Sequence, residues 1–145
     1  MCLIIFSWQP NQEKQLILAA NRDEFHERPS LDAAFWTDRP DIFGGRDLRA
    51  GGTWLALSKG RRFACVTNYR SIELSDYVSS RGEIPSLFLN SDLSALDFSA
   101  SIESQTYAGF NALLFDGDEL IYLTNRYPDT NKQPSHYHQT LAPRS

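Results

Sequence analysis

Apolar runs of strand length recur along this chain, separated by short polar segments rich in turn residues. Leu3-Ile4-Ile5-Phe6-Ser7-Trp8 and Gln15-Leu16-Ile17-Leu18-Ala19-Ala20 flank Gln9-Pro10-Asn11-Gln12-Glu13-Lys14, which predicts a hairpin with a long loop. The runs are continuous rather than alternating, so the strands belong to a sheet covered on both faces, unless a run is a buried helical segment. A second pair, Thr53–Ser58 and Phe63–Thr67, brackets Lys59-Gly60-Arg61, and a third, Phe110–Phe115 and Glu119–Leu123, brackets Asp116-Gly117, a strong two-residue hairpin signal. Six strands in meander order result. Between the second and third pairs, Gly82 to Leu89 and Asp92 to Ile102 carry apolar residues at helical spacing with Ser and Asp as caps. One or two helices therefore cover a face of the sheet, and the fold class is α+β with mainly antiparallel strands.

Composition narrows the function classes. The chain has 145 residues, of which 41% are hydrophobic and 12% aromatic, enough for one domain with a core. A net charge of −4 and a pI near 5.3 give no broad positive field, so nucleic acid and anionic lipid are not expected partners. The two cysteines, Cys2 and Cys65, form neither a Cys-x-x-Cys pair nor a disulfide framework, which suits a reducing compartment. Leu3–Trp8 has no basic flank and is too short for a signal peptide or a membrane span. A cytoplasmic location without a membrane span is expected.

The candidate chemistry begins at Cys2. Methionine aminopeptidase trims Met before small residues, and its action would leave a thiol and a free α-amine on one residue. That amine titrates near pH ~8, so it is partly neutral at physiological pH and can accept the thiol proton. If Met1 stays, Cys2 has no internal base. The alternative is that Cys2 is a small apolar residue at the start of a buried strand. Asn21-Arg22-Asp23-Glu24 ends the second run, and in an antiparallel hairpin it lies beside Cys2, where Arg22 and Asp23 could hold and orient the amine. Alternatively, Arg22 pairs with Glu24 or Glu27 at the surface.

Other signals are weaker. Gly44-Gly45 and Gly51-Gly52 flank Arg46 and Arg49, but no nucleotide-binding signature accompanies them, so they fit tight turns or close backbone approach to a site. Phe35, Trp36 and Trp54 fit a core better than an apolar ligand pocket. His26 is expected at the surface, and His136-x-His138 lacks a third ligand, so neither a metal nor another cofactor is expected.

Met1-Cys2 opening a strand, the Leu-Ile-Leu-Ala-Ala-Asn-Arg-Asp-Glu-Phe segment, Arg28-Pro29, Gly51-Gly52-Thr53-Trp54-Leu55, Thr67-Asn68-Tyr69-Arg70, Ser80-Arg81-Gly82-Glu83 and Gly109-Phe110-Asn111-Ala112-Leu113 together resemble the transport and Golgi organisation protein 2 family, also named NRDE after its tetrapeptide. The resemblance covers roughly residues 1 to 127 in order and spacing. That family is in turn similar to N-terminal nucleophile (Ntn) hydrolases of the cholylglycine hydrolase and penicillin V acylase branch. The likeness implies a four-layer αββα sandwich, with Cys2 as nucleophile on a non-peptide amide, Asp23 holding the amine and Asn68 donating to the oxyanion. Arg22 carries over less directly, because the branch has its arginine where this chain has Ala20.

The resemblance also implies a segment after Thr124-Asn125-Arg126 that does not follow here. A C-terminally incomplete sandwich is expected, ended by a frameshift near Gln133, with a divergent, disordered tail over 128–145. The family's eukaryotic members imply the alternative to an amidase: a binding or trafficking protein for haem or an acyl ligand. A third expectation is an inactive remnant with uncovered sheet edges.

Overall fold

The structure is a computed structural model that describes residues 2–24, 27–69, 77–127 and 135–142. β1 (Leu3–Trp8) and β2 (Leu16–Asn21) form the first hairpin, antiparallel, with Leu3 opposite Asn21 and Trp8 opposite Leu16. Seven further strands make one antiparallel sheet in sequence order: β3 (Ser30–Phe35), β4 (Ile42–Asp47), β5 (Leu55–Ser58), β6 (Phe63–Asn68), β7 (Phe110–Phe115), β8 (Leu120–Tyr127) and β9 (Ser135–Thr140). α1 (Glu83–Leu89) and α2 (Ala95–Ser101) connect β6 to β7. Ser94 caps α2 by accepting from the Asp97 amide at 3.0 Å. The protein is thus mostly antiparallel sheet with two helices, an α+β arrangement. No helix among the described residues is long and apolar enough to cross a membrane.

The continuous apolar runs explain the layering. Successive side chains of a strand point to opposite faces, so Ala64 and Val66 face one way while Phe63 and Cys65 face the other. The first face, joined by Ala112, Leu114, Ile121 and Leu123, packs on Ile84 and Phe88 of α1 and Phe98 of α2. The second face, joined by Leu113, Phe115 and Leu120, packs on Trp8, with Ile4, Leu16 and Leu18 from the hairpin. Each fully buried Leu, Ile, Val or Phe among them contributes about 1.5–3 kcal/mol. Trp8 meets Phe115 edge-on at 5.3 Å, and its indole Nε1 donates to the Leu141 carbonyl at 3.0 Å. On the helical face, Phe88 and Phe98 make a similar edge-on pair at 5.2 Å. Arg62 closes this layer: it stacks 4.1 Å over Phe88, and its Nη2 donates to the Phe88 and Leu93 carbonyls.

Three strands exceed the sequence expectation of six. β3 is an edge strand with every residue exposed, so it shows neither the buried run nor the clean alternation that marks the others. β4 contains Gly44-Gly45, which sit inside a strand and not at a turn; a β-carbon on Gly44 would lie 2.7 Å from Ala56 Cβ, so only glycine permits this spacing of β4 and β5. The turn falls instead at Gly51, where φ is +75°. β9 lies within 128–145, where the sequence reading expects a disordered tail. Its polar residues pair with β8, Leu123 opposite His138 and Tyr122 opposite Gln139, so backbone hydrogen bonding and packing under α2 order a segment that has no apolar period.

His136 and His138 stack edge-on at 5.8 Å on β9, and both imidazoles are partly buried. Burial holds the His136 pKa below the ordinary histidine value, the neighbouring His138 adds to this, and the Ser99 backbone opposes it. The unfolded chain therefore binds a proton more readily, and stability present above pH ~6.5 is lost as the pH falls through that value toward the depressed folded one. The midpoint of thermal unfolding is expected to drop between pH 7.5 and 5.5, and to drop less in His136→Phe; equal drops would remove His136 as the cause.

Candidate active site

The hairpin that covers the sheet also delivers Cys2. Because Leu3 pairs with Asn21, the residue before β1 and the residues after β2 meet at one end of the hairpin. The Cys2 thiol lies 4.0 Å from the Asp23 backbone carbonyl, with the side chain half-buried. Asn68 ends β6, opposite Phe110 of β7, and is exposed there. Cys2, Arg22, Asp23 and Asn68 all line one cleft of about 370 Å³. The four residues that sequence reasoning singled out thus share one cavity. His26 and Met1 lie outside the described residues, as does Arg70.

The cleft is rich in charge. Arg22 donates to Glu24 at 2.8 Å, which is the pairing that the surface-turn reading expects, although both side chains are only about a quarter exposed, at 23% and 29%. Arg28 reaches across 19 residues to Asp47, with Nη2 at 2.5 Å and Nε at 3.2 Å from the same carboxylate oxygen. Burial pushes the Asp47 carboxyl up, but the Arg28 hydrogen bonds and charge and the amides of Arg49 and Ala50 outweigh it, leaving the pKa below the usual carboxylate range. Arg46 forms a two-pronged pair with Asp38 and stacks 4.4 Å over Trp36. Arg81 is half-buried, and its Nη1 donates to the Gly109 carbonyl at 3.1 Å. Burial lowers its pKa, Glu24 and Cys2 oppose that, and Arg28 adds to it. Its guanidinium remains a cation at neutral pH.

Close packing fixes the position of Arg81. A β-carbon on Gly52 would lie 2.3 Å from the Gly82 carbonyl oxygen, so the segment before β5 lies directly against the turn that starts α1. The Thr53 amide donates to that same carbonyl at 2.9 Å. Behind this turn, Glu83 accepts from the Tyr107 hydroxyl at 2.7 Å. The cleft lining also has an apolar part, with Leu31, Phe43, Trp54 and Leu57.

Sequence reasoning missed Arg28, Asp47 and Arg81 as cleft residues. No local pattern links Arg28 to Asp47, and Arg81 carries no signal beyond its tetrapeptide. Of the aromatic trio, Trp36 is buried and its Nε1 donates to the Gly44 carbonyl at 3.0 Å, Trp54 lines the cleft, and Phe35 is exposed. Cys65 is the inert member of the cysteine pair: it is fully buried, and desolvation pushes its thiol up to about 12 against a weaker opposing hydrogen bond from the Leu113 backbone. Among the described residues, no group of three or more His, Cys, Asp or Glu is arranged to hold a metal.

Arg28→Ala would leave the nearly buried Asp47 carboxylate with backbone donors alone, and a loss of about 1–3 kcal/mol is expected in denaturant unfolding at pH 7. The folded pKa of Asp47 is depressed, so its contribution is present above the unfolded value near ~3.9 and is lost as the pH falls below it. The gap between wild type and variant should therefore narrow at acid pH; a gap independent of pH would show that the ion pair does not carry the effect.

The family model described as "Transport and Golgi organisation 2" matches residues 1–142, past residue 127 and through β9. The chain is 39% identical over 140 residues to the transport and Golgi organization protein 2 homolog of Homo sapiens and 38% identical to that of Bos taurus, in each case over 87% of this chain and 51% of the relative. The Drosophila melanogaster protein is 45% identical over 69 residues, which is 43% of this chain and 24% of that protein. The chain thus spans about half the length of the mammalian relatives it matches. By the extent of the model match, this chain belongs to the transport and Golgi organisation 2 family.

Proposed function

We propose that the cleft is the active site of an N-terminal nucleophile amidohydrolase acting on a non-peptide amide in the cytoplasm. The observation that carries this reading is the convergence of Cys2, Asp23, Arg22 and Asn68 on one cavity. The sheet, with the hairpin on one face and helices on the other, supports assignment to an αββα sandwich. After removal of Met1, the Cys2 thiol attacks the amide carbonyl while its own α-amine takes the thiol proton. A C–S bond forms, and the carbonyl π electrons move to oxygen. Asn68 Nδ2–H donates to this oxyanion, and Asp23 holds the amine. Collapse breaks the C–N bond, the α-ammonium protonates the leaving amine, and water then hydrolyses the thioester.

Intact mass comes first, because the α-amine exists on Cys2 only in a chain lighter by one methionine. On that chain, Cys2→Ala should abolish cleavage in a screen of acyl amides. Asn68→Ala should lower kcat by about 10²–10³, the usual cost of one oxyanion donor. Asp23→Asn should keep the fold and lose rate. Full activity in Cys2→Ala would end the reading.

A second reading rests on the apolar wall, where Leu31 and Leu57 are 55% and 45% exposed although both are large and apolar. Such a wall suits an apolar cargo, haem or an acyl chain, in a binding or trafficking protein. Titration with haemin followed by its absorbance should then saturate at one equivalent and weaken in Leu57→Asp; a non-saturating curve removes haem from this reading.

A further inference from the structure

β9 is held by three sets of contacts. Its main chain pairs with β8, His138 opposite Leu123 and Gln139 opposite Tyr122. α2 packs against both strands. Just past its end, the Leu141 amide donates to the Leu120 carbonyl at 2.8 Å, and the Leu141 carbonyl accepts from Trp8 Nε1 at 3.0 Å. The strand is therefore tied to the hairpin that carries Cys2. Paired residues share a face of a sheet, so His138, and with it His136 two residues earlier, face the helical side beside Leu123.

Both ring nitrogens of His136 and Nδ1 of His138 are buried and make no hydrogen bond to a described residue. A neutral imidazole pays for each bare nitrogen, but an imidazolium brings a charge and two N–H donors as well. The surroundings supply little for it. On β8, Ile121 and Leu123 are apolar, and the Asn125 side chain is committed to Phe110, Ser104, Tyr107 and Ala108. Of the ionisable side chains described on β8, Tyr122 donates to Asn111, and Arg126, itself a cation, donates to Tyr77. On α2, Asp97 is exposed and accepts from the Ser94 hydroxyl. The main chain of Ser99 favours the charged form of His136, but burial and His138 outweigh it. Within β9, Tyr137 donates to Gln139, and the second histidine ring stands 5.8 Å from the first.

We propose that the His136–His138 pair is an acid-operated catch: on protonation β9 leaves β8 and α2, the Trp8–Leu141 bond is lost with it, and the rest of the sheet stays folded. The released strand takes up protons at the ordinary histidine value near ~6.5, whereas seated His136 is held below it. The seated form is thus favoured above that pH and loses ground as the pH falls through it. Two features keep the change local. β9 is an edge strand, and of residues 135–142 only Leu141 joins a core cluster among the described residues. Release uncovers the β8 edge, where Ile121 and Leu123 are otherwise fully buried, and frees the Trp8 end of the hairpin from its hydrogen bond.

Hydrogen exchange of the full chain, followed by NMR at pH 7.5, 6.5 and 5.5 and corrected for intrinsic rates, tests this. Between pH 7.5 and 5.5, protection of the β8–β9 ladder and of the Leu141 amide should fall by up to about tenfold for each histidine kept neutral in the seated strand. The β6–β7 ladder should keep its protection. In His136→Phe/His138→Phe, which retains the aromatic bulk but binds no proton there, the fall at β9 should vanish. If that chain does not fold, His138→Phe alone should show a smaller fall than wild type. Equal falls in both ladders, β9 protection that is independent of pH, or an undiminished fall in the variants would overturn the proposal.

Discussion

Both faces of the central strands are apolar, and both must be removed from water. Phe63-Ala64-Cys65-Val66 and Ala112-Leu113-Leu114-Phe115 are buried throughout, so no single covering layer can satisfy them. The helices take one face and the β1–β2 hairpin takes the other. No ladder of backbone hydrogen bonds among the described residues joins this hairpin to the larger sheet. Its seat is set by side-chain burial, above all by Trp8 against Phe115. The location of Cys2 is therefore a by-product of covering the sheet: the hairpin that buries Trp8 at one end presents Cys2 at the other.

The polar side of the cleft is fixed by directional bonds instead. Asn125, buried in β8, donates to the carbonyls of Ser104, Tyr107 and Ala108 and accepts from the Phe110 amide. These bonds hold the segment leading into β7. The Gly109 carbonyl in that segment accepts from both Tyr69 and Arg81, which ties Arg81 to the residue following Asn68. Hydrophobic burial positions the thiol, and main-chain carbonyls position the cation.

Much of this organisation was legible in the sequence, and the reasons differ by element. β6 to β8 appear as apolar runs because both of their faces are engaged, whereas β1, β2 and β5 show equally apolar runs although Ile5, Ile17 and Leu57 stand exposed on one face; Asp116-Gly117 marks a hairpin where φ at Gly117 is +109°. Both helices lie within the two segments of helical spacing. β3 was hidden because an exposed edge strand has no hydrophobic signature, and β4 because its glycines answer to the close approach of β5, a tertiary fact. β9 is polar and becomes a strand only through β8. Within the cleft, Cys2, Asp23 and Asn68 stood out by residue type and motif. Arg28 with Asp47, and Arg81 with Gly109, depend on contacts 19 and 28 residues apart and leave no local trace.

The unequal depth of the two sulfurs has a consequence for the protein's exposure to oxidants. Cys65 is sealed under the hairpin with its proton firmly held, whereas Cys2 opens into the cleft. Of the two thiols, the one that peroxides and electrophiles reach is therefore that of Cys2, the atom on which the proposed chemistry would turn. Sulfenic acid formation there is reversible, while further oxidation is not. In a cell under oxidative stress, a chain built this way would lose its site long before it lost its fold.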